Sequence, residues 1–383
     1  MAMVHAALLA SACLCQRPRM THLPRSTRTF ALLAVCVGIA CLSACEPQRT
    51  PEQIRAELLR KLPATLADRD GWARDVQAAF AAQQLAPSTS NLCAVLAVVE
   101  QESTYRADPP VPGLPGIART EINRRAAALG VPQLMVDAAL RMRSPDGRSF
   151  TERIEALRTE QELSALFEEM TDRVPLGKRL FGRLNPVRTG GPMQVRIDFA
   201  ERHARGYPYP VDGSIRHEVF SRRGGLYFGI KHLLGYPAAY TQPLHRFADF
   251  NAGWYASRNA AFQQAAAIAS GVRLERDGDL LAPGAAMDAP GATETALRGI
   301  ASRLGMDAAA IRNALAQGHR DAFERTDLYR QVFAIADGKG VGKPVARARV
   351  PDIALSSPKI TRKLTTAWFA DRVNARWKAC MAR

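Results

Sequence analysis

The stretch NLCAVLAVVEQES, residues 91–103, decides the fold that we expect for this chain. Its apolar residues recur at helical spacing after the N-cap candidates at 88–91, which predicts a mostly buried helix ending near Ser103. Two carboxylates in its last turn, Glu100 and Glu102, lie on opposite shoulders of the apolar stripe. Burying a carboxylate is costly without compensation, so these acids are either solvated at the helix end or held for chemistry. The stretch alone does not decide between the two.

Helical periodicity dominates the rest of the chain, as in Trp72, Val76 and Phe80, which are spaced by four residues. One stretch, VRLERDGDLL at 272–281, predicts a β-hairpin, because Asp277-Gly278 favours a tight turn between two strand-like runs. Proline and glycine predict interruptions of helix at 107–116, 185–191 and 281–291. We therefore expect a mainly α fold with one small β-hairpin.

The N-terminal residues are typical of a secretory signal. Basic residues precede an apolar run from Phe30 to Leu42, which is shorter than the roughly 20 residues that span a bilayer. A retained transmembrane helix is the alternative. The segment 42–45, Leu-Ser-Ala-Cys, resembles the bacterial lipobox, which implies that residues 1–44 are removed and that Cys45 is acylated. We expect a lipoprotein of the outer membrane facing the periplasm, and we interpret residues 1–19 as an over-extended start before Met20.

Signal removal changes the cysteine count and the charge. Of seven cysteines, Cys45 would carry lipid and only Cys93 and Cys380 would remain, either as a disulfide or as two isolated buried thiols. The net charge of +16 includes four arginines of the signal, so the mature chain would carry about +12. This balance suits an anionic partner such as the bacterial cell wall, or reflects ordinary arginine usage. The histidines lack metal-site spacing and no glycine run forms a phosphate loop, so we expect no metal and no cofactor.

Two further segments follow the Glu-Ser helix. The sequence TGGPMQV at 189–195 predicts a loop that enters a helix, since paired glycines allow a backbone that other residues resist. In FADFNAGWYASRNAAF at 247–262, Asn251-Ala252-Gly253 interrupts a helical pattern between two aromatic pairs. Each segment alone has an ordinary structural explanation.

Together and in this order, the three segments resemble the lytic transglycosylases of the lysozyme-like superfamily. The matches are Glu102-Ser103, the run 191–194 against Gly-Leu-Met-Gln, the run 249–253 against Ala-Tyr-Asn-Ala-Gly, and, more weakly, Thr326 and Tyr329. Pro192 and the pair Asp249-Phe250 depart from the family pattern. The resemblance implies a lysozyme-like core at 71–106 and 186–335 with a helical insertion at 107–185, patterned as helix at 121–129 and 160–167. A lipid anchor and lead-in helix would occupy 45–70, and a C-terminal tail, 336–383, would pack on the core.

The resemblance also implies roles for individual residues. Glu102 would be the acid/base that cleaves the glycan strands of peptidoglycan between N-acetylmuramic acid and N-acetylglucosamine, leaving a 1,6-anhydro product. Ser103, Gln194 and Asn251 would position the sugars or the acid, and Met193 would line the groove. A further residue, Tyr329, would orient Glu102 or stabilise developing positive charge. The partners would be glycan strands and, through Cys45, a membrane, but not nucleic acid.

Two other functions remain open from the sequence. One is a goose-type muramidase that admits water and leaves a reducing end. The other is a non-catalytic lipoprotein that binds glycan or scaffolds a wall-synthesis or secretion complex, with the insertion as its partner surface.

Overall fold

A computed structural model describes residues 49–172, 184–282, 284–339, 343–355 and 364–383. The chain divides into two units, Met1–Arg49 and Thr50–Arg383, and the helices and strands given below belong to the second. The predicted signal peptide, the start at Met20 and the acylated Cys45 lie outside the described residues. Within the described ranges, none of the helices has the length and apolar character needed to cross a membrane.

The described residues form seventeen α-helices, one 3-10 helix and four two-residue strands, which confirms a mainly α fold. In chain order the α-helices are α1 Pro51–Lys61, α2 Arg69–Ala82, α3 Thr89–Ser103, α4 Leu114–Ala128, α5 Gln133–Arg141, α6 Phe150–Glu155, α7 Glu160–Asp172, α8 Ile197–Arg202, α9 Ile215–Phe220, α10 Arg222–Leu234, α11 Pro243–Ala252, α12 Ala256–Ser270, α13 Ala292–Arg298, α14 Ala301–Leu304, α15 Ala308–Leu315, α16 Asp327–Lys339 and α17 Thr366–Ala382. The 3-10 helix is Asp321–Arg325. Two antiparallel hairpins pair β1 Thr189–Gly190 with β2 Val195–Arg196, and β3 Ala354–Leu355 with β4 Leu364–Thr365.

Helix α3 is the helix predicted from its periodicity. Its N-cap is Ser88, whose hydroxyl accepts a hydrogen bond from the Asn91 backbone N–H at 3.2 Å. Every residue from Leu92 to Val99 is buried, so this helix lies inside the core rather than on its surface. It ends at Ser103, as expected, where Thr104 takes the left-handed conformation with φ 51°.

The hairpin predicted at 272–281 is wrong, because the segment contains no strand. The turn at Asp277-Gly278 forms hydrogen bonds with the neighbouring helix α12 instead of joining two paired strands. The side chain of Gln263 on α12 accepts from the Gly278 backbone N–H at 2.8 Å and donates to the Asp277 carboxylate at 2.8 Å. Asn259, one helical turn earlier, donates to the Gly278 carbonyl at 3.1 Å. Amide side chains on α12 therefore satisfy the backbone groups that a partner strand would have satisfied.

The unit has two hydrophobic cores. The first surrounds α3 and α10 and includes residues of the insertion and of α17. The second surrounds α12 and α16, with Phe262, Phe323 and Phe333 at its centre. The second segment of the predicted catalytic core, 186–335, thus contributes to both clusters, to the first up to Phe250 and to the second from Phe262. The C-terminal helix α17 buries Phe369 and Val373 in the first core, so it is an internal element of that core.

The described part of the insertion, residues 107–172 and 184–185, is helical, with α4 to α7, and it contains both helices patterned in the sequence. Ion pairs join its elements: Arg119 pairs with Asp137, and Arg153 with Glu169 at 2.6 Å. Its core residues, such as Leu114, Leu140 and Ile154, are continuous with the first core.

Candidate functional site

Helix α10 is the element around which the three motif segments assemble. It packs against α3, whose last turn contains Glu102, against β2, which follows Gln194, and against α11, whose last turn contains Asn251. Glu102 and Asn251, which lie about 150 positions apart in the sequence, are therefore on helices that pack against the same helix, α10.

The turn between β1 and β2 lies on the glycines of α10. A Cβ atom on Gly225 would collide with Pro192, and one on Gly229 would collide with the side chain of Met193. Further along the same face of α10, His232 Nε2 lies 3.0 Å from the Phe250 carbonyl oxygen. Met193 is fully buried in this contact. The prediction that Met193 lines the groove is wrong, because the missing side chain of Gly229 makes room for it inside the core.

Gln194 is held by its own turn. Its backbone has φ 48°, and its N–H donates to the Gly191 carbonyl at 3.0 Å. The side-chain amide donates to the same carbonyl at 3.3 Å, and the Thr189 hydroxyl donates to its Oε1 at 3.3 Å. Gln194 remains half-buried, so the turn presents a side chain whose orientation is fixed before any ligand binds.

The Glu-Ser end of α3 is a constrained backbone turn. The Ser103 hydroxyl donates to the Val99 carbonyl at 3.0 Å and accepts from the Arg106 N–H at 3.3 Å, and Ser103 is buried. These bonds give Ser103 a role in the turn that carries Glu102, and its predicted role in positioning the acetamido group or Glu102 stays a prediction. Tyr105, with φ 59°, donates its hydroxyl to the Leu96 carbonyl at 3.2 Å, and burial raises the pKa of that hydroxyl.

The two glutamates that end α3 differ in their surroundings. Glu100 faces the C-terminal helix, where its Oε1 lies 3.5 Å from Nε of Arg376. Glu102 lies two residues on, about 200° around the helix axis, and it is half-buried. Glu100 thus forms an ion pair with α17, and Glu102 lies on the opposite side of α3 from that pair.

Asp249 is a buried carboxylate that organises the Asn-Ala-Gly turn. It accepts from the hydroxyls of Tyr236 and Tyr240 at 2.9 and 2.7 Å, and from the backbone N–H groups of Tyr255 and Ser257 at 3.1 and 2.6 Å. It therefore caps the N-terminus of α12. Burial raises the pKa of the Asp249 carboxyl, which these hydrogen bonds oppose.

Asn251, at the end of α11, is exposed, and its Oδ1 accepts from the buried Thr366 hydroxyl at 2.8 Å. Because the oxygen of the amide is occupied, its NH₂ group is left to donate.

Tyr329 lies in the second core, with its ring against Phe262, Phe323 and Phe333. Burial raises the pKa of its hydroxyl to about 12. Helix α16, which carries Tyr329, packs on α12, whereas α3 packs on α10 and α17. The role of Tyr329 in orienting Glu102 or stabilising developing positive charge stays a prediction.

Helix α17 spans α3 and α11 and so connects two motif segments. Cys380 is joined to Cys93 on α3 by a disulfide with a Cα–Cα distance of 5.6 Å. The Trp377 indole donates to the Ser90 carbonyl at 3.1 Å, and Thr366 at the other end of the helix holds Asn251. Among the residues that the structure describes, no group of three or more His, Cys, Asp or Glu could hold a metal ion.

Comparison with known families identifies the family of the chain. Residues 65–383 match the family described as "Protein of unknown function (DUF1615)". The chain belongs to this family. It is also 52% identical over 357 residues to "Uncharacterized protein YaiW" of Escherichia coli (strain K12), covering 92% of this chain and 97% of that protein. No solved structure matches it.

This DUF1615 chain takes left-handed backbone within or directly after each of the three motif segments. Six non-glycine residues of the described ranges have positive φ, and four of them are Thr104, Tyr105, Gln194 and Tyr255. Such conformations cost roughly 1–3 kcal/mol each and persist only when the surroundings impose them. In this protein, hydrogen bonds hold these turns: Ser103 accepts from the Arg106 N–H after Tyr105, Gly191 accepts from Gln194, and Asp249 accepts from Tyr255.

Sequence reasoning missed two positioning residues of the DUF1615 chain. The sequence could have indicated Asp249, because an acidic residue replaces the alanine of the resembled family at this position. The sequence could not have indicated Thr366, because it lies 115 residues from Asn251 and its neighbours show no distinctive pattern.

Proposed function

We propose that this protein is a peptidoglycan lytic transglycosylase, cleaving the β-1,4 bond between N-acetylmuramic acid and N-acetylglucosamine. The observation that carries the proposal is the left-handed backbone at Thr104, Tyr105, Gln194 and Tyr255. These residues follow or belong to the three sequence segments that resemble the family, and the segments surround one helix, α10. Strained backbone concentrates at functional sites, which supports a role for these turns beyond packing.

Glu102 is the acid/base of the proposed reaction. It is half-buried at the end of a helix whose preceding core residues, 92–99, are all buried, so its backbone position is rigid. Its protonated carboxyl gives a proton to the glycosidic oxygen as the bond from the muramoyl C1 breaks. The substrate's acetamido oxygen supports the developing charge at C1. The Glu102 carboxylate then takes the proton of the muramoyl 6-hydroxyl as that oxygen bonds to C1, which restores the acid and forms the anhydro ring.

Gln194 and Asn251 are the proposed sugar contacts. Gln194 is fixed by Thr189 and Gly191, and Asn251 is fixed through its oxygen by Thr366. Pre-organised polar groups bind with less loss of conformational entropy than mobile ones. The amide NH₂ of Asn251 is suited to a carbonyl or hydroxyl oxygen of an N-acetyl sugar.

The proposal includes a location. Acylation at Cys45 would hold the enzyme on the outer membrane, facing the wall in the periplasm. Two or more acyl chains give stable anchoring where one gives marginal binding.

Mass spectrometry of muropeptides tests this function directly. The protein lacking residues 1–45 is incubated with intact sacculi, beside the variants Glu102→Gln and Glu100→Gln. Anhydro-muropeptides from wild type and Glu100→Gln, but not from Glu102→Gln, are the expected result. Reducing ends that incorporate labelled oxygen from water would identify a muramidase. Sacculus binding without any released product would identify a glycan-binding or scaffold lipoprotein.

A further inference from the structure

An apolar surface on the insertion faces solvent. Helices α4 and α5 pack on each other across the turn 129–132, and large side chains in and after this turn are exposed: Leu129 by 67%, Leu134 by 79% and Met135 by 62%. Five of the ten exposed large hydrophobic residues of the described ranges lie within 129–142. Single exposed apolar residues are ordinary, whereas a contiguous group marks an interaction site. We call these five, Leu129, Val131, Leu134, Met135 and Met142, the α4–α5 surface.

Helix α5 has apolar residues on both of its faces. Val136 and Leu140, one turn apart, are buried in the first core. At about 100° per residue, Leu134, Met135 and Ala138 lie on the other face, and all three are exposed. A helix that is apolar all round is normally buried, so the outer face of α5 lacks a partner within the described part of the chain.

The turn between α4 and α5 satisfies its own backbone donors. Leu129 and Gly130 donate their N–H groups to carbonyls in the last turn of α4 at 3.1 and 3.0 Å, and Val131 does so at 2.9 Å. The next residue, Pro132, has no N–H group. A segment can enter the apolar part of a bilayer only if its backbone groups are already hydrogen-bonded, and these four residues present no free N–H group.

Arginines accompany this apolar surface. Residues 119–152 carry six arginines and four acidic residues, a net charge of +2. Arg124 and Arg125 share one acid, Glu121. Arg141, exposed on the outer face of α5, forms no ion pair with any described residue. An apolar surface beside basic side chains is typical of segments that bind bilayers, because anionic headgroups attract each arginine near the surface.

We infer that the α4–α5 surface docks on a phospholipid bilayer that contains anionic lipid. Leu129, Leu134 and Met135 enter the boundary between headgroups and acyl chains, and the Arg141 guanidinium contacts lipid phosphate. A second copy of the chain would bring the same positive charge against itself, which disfavours self-association through this surface. The inference depends neither on acylation at Cys45 nor on catalysis by Glu102.

Co-sedimentation with vesicles tests the inference on the protein lacking residues 1–45, which has no acylation site. We expect binding to vesicles of phosphatidylcholine with phosphatidylglycerol and weaker binding to phosphatidylcholine alone. Leu134→Gln/Met135→Gln should bind about tenfold more weakly, since two apolar side chains no longer enter the bilayer. The matched control, Val272→Gln/Met287→Gln, alters two exposed apolar residues elsewhere and should bind as wild type does. No binding of wild type, or equal binding by the Leu134/Met135 variant with an unchanged melting temperature, would overturn the inference.

A fluorophore that reports polarity locates the contact. Cys93 and Cys380 are bonded, so Met135→Cys gives the protein lacking residues 1–45 a single free thiol for the label. Emission should shift to the blue with anionic vesicles and be quenched by spin-labelled acyl chains, whereas the label at Met287→Cys should change little. An unchanged Met135→Cys emission would contradict the inference. A concentration-dependent dimer of unlabelled wild type in sedimentation velocity, lost in Leu134→Gln/Met135→Gln, would assign the surface to a second copy instead.

Discussion

Thr366, the first residue of the C-terminal helix, donates a 2.8 Å hydrogen bond to Oδ1 of Asn251, the asparagine of the Asn-Ala-Gly turn. Thr366 is fully buried and Asn251 is exposed. The contact connects the last helix of the chain to a proposed sugar-binding residue 115 positions earlier, so the C-terminal segment takes part in the candidate site.

Thr366→Val tests this contact, because valine keeps the shape and removes the donor. We expect the free energy of unfolding to fall by about 1 kcal/mol. Turnover of sacculi should fall severalfold, chiefly through KM, since Asn251 loses its fixed orientation. Thr366→Ser should restore both quantities. A loss of stability with an unchanged KM would show that the contact is structural only.

The disulfide between Cys93 and Cys380 should contribute substantially to stability. It closes a loop of 287 residues, and disulfides typically stabilise by about 2–4 kcal/mol. Denaturant unfolding of the Cys93→Ala/Cys380→Ala protein should show a loss in this range, and reduced wild type should match the variant. Thiol labelling of unreduced, denatured protein lacking residues 1–45 should detect neither cysteine, and two labelled thiols would refute the bond.

Glu102→Gln should abolish turnover while leaving the fold intact. The amide keeps the size of the side chain but cannot transfer a proton, so activity should fall by two to four orders of magnitude, about the contribution of general acid catalysis. Glu100→Gln should cost much less activity, because Glu100 pairs with Arg376. Circular dichroism verifies the folding of both. Wild-type activity in well-folded Glu102→Gln would exclude the mechanism.

The half-buried His232 should make stability depend on pH. Its pKa is lowered from 6.5 to about 4, so below pH 6.5 the unfolded chain binds a proton that the folded protein does not. Its contribution is therefore present above pH 6.5 and is lost as the pH falls toward 4. The free energy of unfolding should drop by about 2 kcal/mol more between pH 7 and pH 5 in wild type than in His232→Gln. His217→Gln controls for the loss of one histidine, and equal pH dependence in wild type and His232→Gln would contradict the prediction.

Acylation at Cys45 is tested by labelling cells with palmitate. Label should enter the wild-type protein, and Cys45→Ala should yield an unlabelled form that is soluble or unprocessed. Cys45→Ser is a second control, since it retains polarity without a thiol. Labelling that persists in Cys45→Ala would refute the lipobox interpretation.

Local structure was predictable where one segment carried its own pattern. The spacing of Leu92, Val95 and Val99 predicts helix α3, because a helix turned toward a core must repeat its apolar residues about every 3.6 positions. The break at Gly253 and the start of α13 after the proline-rich run 281–291 follow from backbone constraints of the same local kind. The order of the three motif segments is likewise a property of the sequence alone.

Tertiary structure alone decided what each side chain contacts. Met193 is buried because α10 has a glycine at 229, and Ser103 bonds its own turn because Tyr105 and Arg106 fold back over the helix end. The segment 272–281 satisfies its turn through Gln263 instead of forming strands. The sequence left two free thiols as an alternative to a bond between Cys93 and Cys380, and only the packing of α17 on α3 joins them. Such contacts depend on which surfaces of distant segments pack together, and local periodicity carries no information about that choice.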